Sequence, residues 1–203
     1  MRHDRGVTQV PTLDIRLYDT RRREIVPFEP IVPGKVGIYT CGPTVYGPQH
    51  LGNMRSQLTP DLLRRVLLAS GLEVTYVTNI TDVGHLVSDA DEGDDKMERA
   101  AAATGETAAE IAARYTEQWA EDRRRLGCLE PDVLPRAADH IPEQIAMVQA
   151  LEAGGHTYVI DDGVYFATST FPRYAEFADL RLDDMETTGR VEGIDDNRHP
   201  ADF

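Results

Sequence analysis

The sequence predicts an α/β fold, and three observations carry that expectation. Val36 to Thr40 alternates small with β-branched or aromatic residues, as a buried strand does. Gly42, Pro43, Gly47 and Pro48 then break regular structure. From Leu51 to Ser70 apolar residues recur at Leu58, Leu62, Leu63, Val66 and Leu67, a spacing that keeps one helical face against a sheet. Glu73 to Ile80 reads as a further strand, so the order strand, helix, strand implies parallel neighbours.

The remaining elements follow in chain order. Leu17 to Ile25 reads as an earlier strand, and together these strands make half of a Rossmann-like sheet. From Asp94 the pattern turns helical, first over Glu98 to Ala103 and then over Thr107 to Leu126. There Thr107 can cap the helix, and Glu110 falls three residues later as a capping box requires. A further helix over Pro142 to Glu152 ends at Gly154-Gly155. His156 to Ile160 and Gly163 to Thr168 flank a hairpin turn at Asp162-Gly163. Arg181 to Pro200, rich in Asp, Glu and Gly, reads as loop, and the polar stretch Met1 to Val10 as disordered. The expected division is a disordered terminus over 1–12, the first half of a nucleotide-binding domain over 13–93, and a helical and hairpin region over 94–203.

Composition bounds the function. The apolar fraction of 41% over 203 residues is enough for a real core. Two cysteines exclude a disulfide framework, and the absence of a long apolar run or a basic-then-apolar leader implies a cytoplasmic protein with no membrane association. The formal net charge of −14 weighs against gripping an RNA backbone, which requires clustered cations to replace counterions. Arginines cluster at Arg21 to Arg23 and Arg123 to Arg125, and both groups read as solvated faces. Asp89 to Asp95 lacks the alternating register of a calcium loop and reads as a solvated acidic loop. No Ser-His-Asp order and no paired catalytic carboxylates emerge, so hydrolase chemistry is not supported.

The stretch most informative about chemistry is Val36 to Arg55, VGIYTCGPTVYGPQHLGNMR, which puts Cys41 and the tetrapeptide His50-Leu51-Gly52-Asn53 on one strand-to-helix turn. A helix start offers unpaired N–H groups and partial positive charge, so an anion such as a triphosphate is favoured there. Gly52 lets a nucleotide approach closely. His50 and Asn53 can donate to phosphate oxygens whose charge grows in the transition state. Cys41, taken alone, reads as a small buried hydrophobe.

These residues carry a family resemblance. Cys41-Gly42-Pro43-Thr44-Val45-Tyr46 resembles the substrate-pocket motif of the cysteinyl-tRNA synthetases, class I enzymes with a Rossmann-like catalytic domain, and His50-Leu51-Gly52-Asn53 resembles their HIGH motif. The likeness continues through Val74 to Asp82, Pro135-Arg136-Ala137, His140-Ile141, Gly163 to Phe166 and His199 to Phe203. Gly84 to Gly93 looks like an insertion before Asp94-Asp95-Lys96, and the helical and hairpin block resembles the insertion that splits the class I fold.

The resemblance implies several roles. Activation of cysteine by ATP with Mg²⁺ would give cysteinyl-adenylate, followed by transfer to tRNA(Cys), in a monomer. His50 and Asn53 would be catalytic, and Gly42, Thr44, His50, Gly52, Asn53 and Thr81 would hold nucleotide and amino acid. Cys41 would be one ligand of a zinc ion that binds the substrate thiolate, a bond serine forms poorly. The other zinc ligands, the Lys-Met-Ser-Lys-Ser loop and the anticodon-binding region would follow the Pro-Ala-Asp-Phe segment, where this sequence ends. That ending leads us to expect an N-terminal fragment or truncated form with an incomplete zinc site. Cys128 reads as structural. Two alternatives are a cysteine ligase for a non-tRNA acceptor, as in mycothiol synthesis, and a non-catalytic paralogue that binds nucleotide or a partner.

Overall fold

In a computed structural model the described residues are 14–83, 105–161, 163–177, 198–199 and 201–203. The expectations for Met1 to Val10, the helix over Glu98 to Ala103, the acidic run Asp89 to Asp95, the insertion Gly84 to Gly93, Lys96, and almost all of the loop Arg181 to Pro200 lie outside them, as does Asp162.

The expected strand over Leu17 to Ile25 is instead two, β1 (Arg16–Asp19) and β2 (Glu24–Pro27), paired antiparallel. The Asp19 carboxylate accepts the backbone N–H groups of Arg21 (2.9 Å) and Arg22 (3.1 Å), folding the chain back, and Arg23 takes a positive φ of 56°. Period-2 patterning does not register such a turn.

β3 (Lys35–Thr40) and β4 (Glu73–Thr78) pair in parallel, joined by α1 (Leu51–Ala69), as the strand–helix–strand order implies. Beyond β4, residues 132–137 run alongside it. Val133 and Arg136 form parallel bridges with Val77 and Ile80, and Thr78 and Ile80 donate to the Val133 and Pro135 carbonyls. α2 (Ala108–Arg125) carries the expected capping box, with Glu110 N–H donating to Thr107 Oγ1 (3.2 Å) and Thr107 N–H to Glu110 Oε2 (2.8 Å). α3 (Ile141–Ala153) follows a short 3-10 turn. β5 (Thr157–Ile160) and β6 (Gly163–Phe166) then form the expected antiparallel hairpin. Asp202 ties the hairpin to the last residues, accepting from Tyr158 Oη, Thr168 N–H and Thr168 Oγ1 at 2.8–3.0 Å.

The core uses only part of the α1 face that periodicity selects, with Leu58 and Leu63 half-buried. Leu67 is buried, but Leu62 is 61% exposed and Val66 is also exposed; the buried positions are Met54, Gln57, Pro60, Asp61, Arg64 and Leu67. Polar side chains are tolerated there because each has hydrogen-bond partners, Arg64 Nε alone among the Asp61 and Arg64 polar atoms being buried without one. Asp61, 4% exposed, accepts from Leu129 N–H and Arg65 Nε, both at 2.7 Å. Arg64 donates to both oxygens of Asp132 (2.9 Å each) and to the Glu130 carbonyl (2.6 Å), and Asp132 in turn accepts the Tyr76 N–H (2.6 Å).

Arg123 overturns the expectation of a solvated arginine face. It is 2% exposed, lies 4.9 Å from the Trp119 ring centroid and 5.9 Å from that of Tyr76, and donates to the Leu129 carbonyl (2.8 Å). Arg124 and Arg125 are exposed as expected. One apolar cluster joins Val45, Met54, Ile80, Ile111, Ala112 and Trp119, so packing is continuous across the division at residues 93 and 94.

Two consequences can be measured. Asp61→Ala leaves a buried N–H and a guanidinium without their acceptor and should cost about 3 kcal/mol of unfolding free energy, whereas Leu62→Ala should cost under about 0.5 kcal/mol. Equal costs in denaturant titrations would refute the polar account of this helix face. Cys128 is buried at the α2 terminus, and burial pushes its thiol above the ordinary cysteine range, whereas Cys41 is exposed. A thiol reagent at about pH 8 should therefore modify Cys41 in the folded protein and Cys128 only after unfolding, with mass spectrometry reading the order.

Candidate functional site

The site is built where β3 ends. Gly42 must be glycine on steric grounds alone: a Cβ there would lie 1.5 Å from the backbone oxygen of Asn79. The close approach lets the Gly42 N–H reach Asn79 Oδ1 (3.0 Å). Pro43 to Val45 then runs beside Thr81, with Thr81 N–H donating to the Pro43 carbonyl (3.0 Å) and Val45 N–H to the Thr81 carbonyl (3.2 Å). Gln49 Nε2 donates to the Thr44 carbonyl (3.1 Å) and holds the loop before α1.

His50 is the N-cap of α1 and forms a reciprocal box with Asn53. His50 N–H donates to Asn53 Oδ1 (3.1 Å), and Asn53 N–H donates to His50 Nδ1 (3.3 Å). Because a backbone N–H can only donate, Nδ1 is the acceptor nitrogen and Nε2 carries the proton. The box thereby sets an imidazole donor at the helix start and leaves the Asn53 amide NH₂ available. The first turn of α1 contains no acidic residue, so nothing there opposes an anion. Gly52 has a more local cause than ligand approach: a Cβ would sit 2.8 Å from His50 Cε1, so the glycine makes room for the imidazole to fold back over the turn.

Between the end of β3 and α1 lies a cavity of about 350 Å³, walled by Thr40, Cys41, Gly42, Pro43, Thr44, Gln49, Asn53, Ser56 and Gln57. Of the residues expected to form the site, Cys41, Gly42, Thr44 and Asn53 are on its wall. His50 and Gly52 stand outside the wall beside Asn53, and Thr81 stands behind Pro43 and Thr44. Cys41 is exposed rather than a buried hydrophobe. Among the described residues no three of His, Cys, Asp and Glu gather to hold a metal ion. His140 sits beside Glu143 (3.8 Å) and is not part of the wall. Asn79, Gln49 and Gln57 were not singled out by sequence reasoning. The only trace of Asn79 there is an amide following a β-branched run, a common turn signal.

Comparison with known proteins gives the family. A family model described as tRNA synthetases class I (C) catalytic domain matches residues 27–203. A cysteine–tRNA ligase 1 from Burkholderia lata is 49% identical over 191 residues, 94% of this chain and 40% of that protein. Cysteine–tRNA ligases from a strain of Thermus thermophilus and from Deinococcus radiodurans are 44% and 43% identical, over 92% and 95% of this chain and 39% of each relative. This chain thus spans about 40% of the length of the curated relatives it matches. A solved Campylobacter jejuni structure described as an arginyl-tRNA synthetase aligns at a TM-score of 0.42 and 14% identity over 71% of this chain and 40% of that one, too distant to add to the assignment. The family match over most of the chain and the agreement of several relatives place the protein among the class I (C) tRNA synthetases, of whose catalytic-domain family it is a member.

Proposed function

We infer that this chain carries the cysteine-activating site of a cysteine–tRNA ligase, within a Rossmann-like class I catalytic domain whose nucleotide-binding half is 13–93 and whose connective region is 94–203. The observation that supports this best is that an exposed thiol, Cys41, and a helix N-terminal residue, Asn53, share the wall of one cavity of about 350 Å³. In this reading a carboxylate oxygen of cysteine attacks the α-phosphorus of ATP, the P–O bond to the β-phosphate breaks, and pyrophosphate leaves with the electron pair. The nucleophile is already an anion, so no protein base is needed. Positioning and charge stabilisation supply the rate.

His50 Nε2–H and the Asn53 amide donate to phosphate oxygens as their charge grows, while the free N–H groups of the first turn of α1 receive the anion. Mg²⁺ enters bound to the triphosphate. Zinc would supply a thiolate-selective bond, with Cys41 as one donor. The described residues do not by themselves make a zinc site, so no step is derived through it. Transfer to tRNA(Cys), a cytoplasmic location and a monomeric state belong to the same reading.

The test is cysteine-dependent exchange of pyrophosphate into ATP, measured on this chain alone and supplemented with the remaining length of a relative. Activity in either format supports the reading. Silence in both favours a non-catalytic relative that binds nucleotide or a partner, and adenylate formation with transfer only to a small amine acceptor favours the non-tRNA ligase.

Two variants sharpen it. His50→Asn retains a good N-cap but loses the imidazole donor, and should lower exchange about a hundredfold with the melting temperature held. Unchanged exchange would remove the phosphate role. Cys41→Ser should abolish the preference for cysteine while ATP affinity, read by calorimetry, stays within about twofold. A loss of fold instead would assign the thiol a packing role.

A further inference from the structure

Gln57 lies on α1, is 5% exposed, and stands on the cavity wall with Asn53 and Ser56. Arg123, buried on α2 and packed over the Trp119 ring, approaches one end of its carboxamide, with Nη1 3.5 Å from the terminal atom. The contact is long, yet it fixes polarity, because a guanidinium can only donate and the atom facing it is therefore the oxygen. The NH₂ end points the other way. Among the described residues it donates to nothing, and it is not sealed in the core, where the polar atoms left without a partner are Arg64 Nε, Thr78 Oγ1 and Trp119 Nε1. A donor with no protein partner that is not sealed in opens onto the cavity that Gln57 walls.

Arg123 gives that donor its preference for charge. The guanidinium is 2% exposed, and among the described residues it has no carboxylate partner: its hydrogen bonds go to the Gln57 oxygen and the Leu129 carbonyl. A buried cation behind the amide oxygen leaves the positive end of the amide dipole toward the cavity, so an anionic acceptor is favoured there. Asn53 sets the place of that acceptor. Positions 53 and 57 are one turn apart on the same helix face, about 6 Å between Cβ atoms, and both wall the cavity. Phosphates are drawn to the unpaired N–H groups of the first turn, and Gln57 lies beyond that turn, so the group it meets is a different one.

We propose that Gln57 binds the carboxylate of the amino-acid substrate, its NH₂ holding one oxygen while the other is turned toward the α-phosphorus at the start of α1. The inference rests on the cysteine-activation reading and deepens it. Arg123 does not touch the substrate; it orients the amide. No proton moves in the contact, so the carboxylate stays ionised and its second oxygen remains the nucleophile.

Gln57→Glu is the discriminating variant. Its side chain has the same length and pairs with Arg123, so a Gln57 of purely structural role is replaced with no loss of melting temperature. Toward the cavity, however, the donor becomes a negative charge. Gln57→Met removes the donor at similar volume and adds no charge. Calorimetry at neutral pH on the full chain and both variants reads the affinities for cysteine, for cysteamine, which lacks the carboxylate, and for ATP, with melting temperatures recorded alongside. The unaltered chain should prefer cysteine to cysteamine by about tenfold or more, and both variants should lose that preference, while the ATP affinity of Gln57→Met stays within about twofold.

A preference kept in either variant overturns the proposal and leaves the cysteine-activation reading standing, as does an unaltered chain that binds ATP but does not distinguish cysteine from cysteamine. Equal losses of ATP and cysteine affinity in Gln57→Met, or melting temperatures that collapse in both variants, would assign the side chain a packing role and overturn it as well. If the unaltered chain binds neither cysteine nor ATP, the reading falls and the proposal with it.

Discussion

The Asp61 and Arg64 side chains, buried on α1, are the constraint on which the rest of the fold depends. Arg64 lies over the ring of Tyr76 in β4, 5.7 Å from its centroid, and the remaining links to the sheet run through hydrogen bonds. Asp61 receives the Leu129 N–H and Arg64 clasps Asp132, and Asp132 receives the Tyr76 N–H from β4. Helix, loop and strand are thereby joined by charge-assisted bonds across more than 50 positions of sequence. With residues 127–132 held, the chain can only continue as 133–136 alongside β4. That pairing aligns Ile80 and Asp82, where Arg136 Nε and the Ala138 N–H both reach the Asp82 carboxylate at 2.9 Å. Thr81, between them, receives Pro43 to Val45.

The cavity is thus the end of a sequence of backbone constraints rather than a gap between independently placed side chains. Gly42 admits the Asn79 carbonyl, the turn that results carries Cys41 out of the sheet, and Gln49 closes the loop so that α1 begins beside it. Gly52 then frees the volume into which His50 folds to cap its own helix. Two glycines act here through sterics, and neither needs a positive φ. The consequence for chemistry is that a capping box, ordinarily a matter of helix stability, also selects which imidazole nitrogen is a donor.

Elements whose cause is local were legible in the sequence: the α1 start at His50, the Thr107–Glu110 capping box, the parallel β3–α1–β4 unit and the β5–β6 hairpin. What was not legible depends on distant partners. A buried Asp61 or Arg123 reads as solvent-facing until Leu129, Trp119 and Tyr76 are known to surround it. Leu62 and Val66 satisfy the helical period yet remain exposed, because the packed face is shared between apolar Met54 and Leu67 and the hydrogen-bonded Asp61 and Arg64. The β1–β2 turn escaped because Asp19 makes it with a side-chain oxygen inside an otherwise strand-like run. The site followed the same division. Cys41, Asn53, Gly42 and Thr44 come from contiguous motifs, whereas Asn79 matters only through contacts to Tyr39, Gly42 and Thr81.

A chain of net charge −14 is an unpromising host for a triphosphate until the range of each interaction is considered. At physiological ionic strength exposed charges are screened over about 8 Å, so most of the acidic surface contributes only a weak, salt-dependent repulsion at the cavity. Within that distance the balance differs. The first turn of α1 carries no carboxylate, and its N–H groups and the His50 and Asn53 donors lie at the surface. Asp61 stands ten residues along the helix, about 15 Å from its start and beyond the screening length, with both oxygens occupied by Leu129 and Arg65. Its pairing inside the core fixes the position of α1. Affinity for a small polyanion can then be local and only moderately salt-dependent. A large polyanion that spreads beyond the screening length meets the acidic surface instead, and needs cations placed elsewhere.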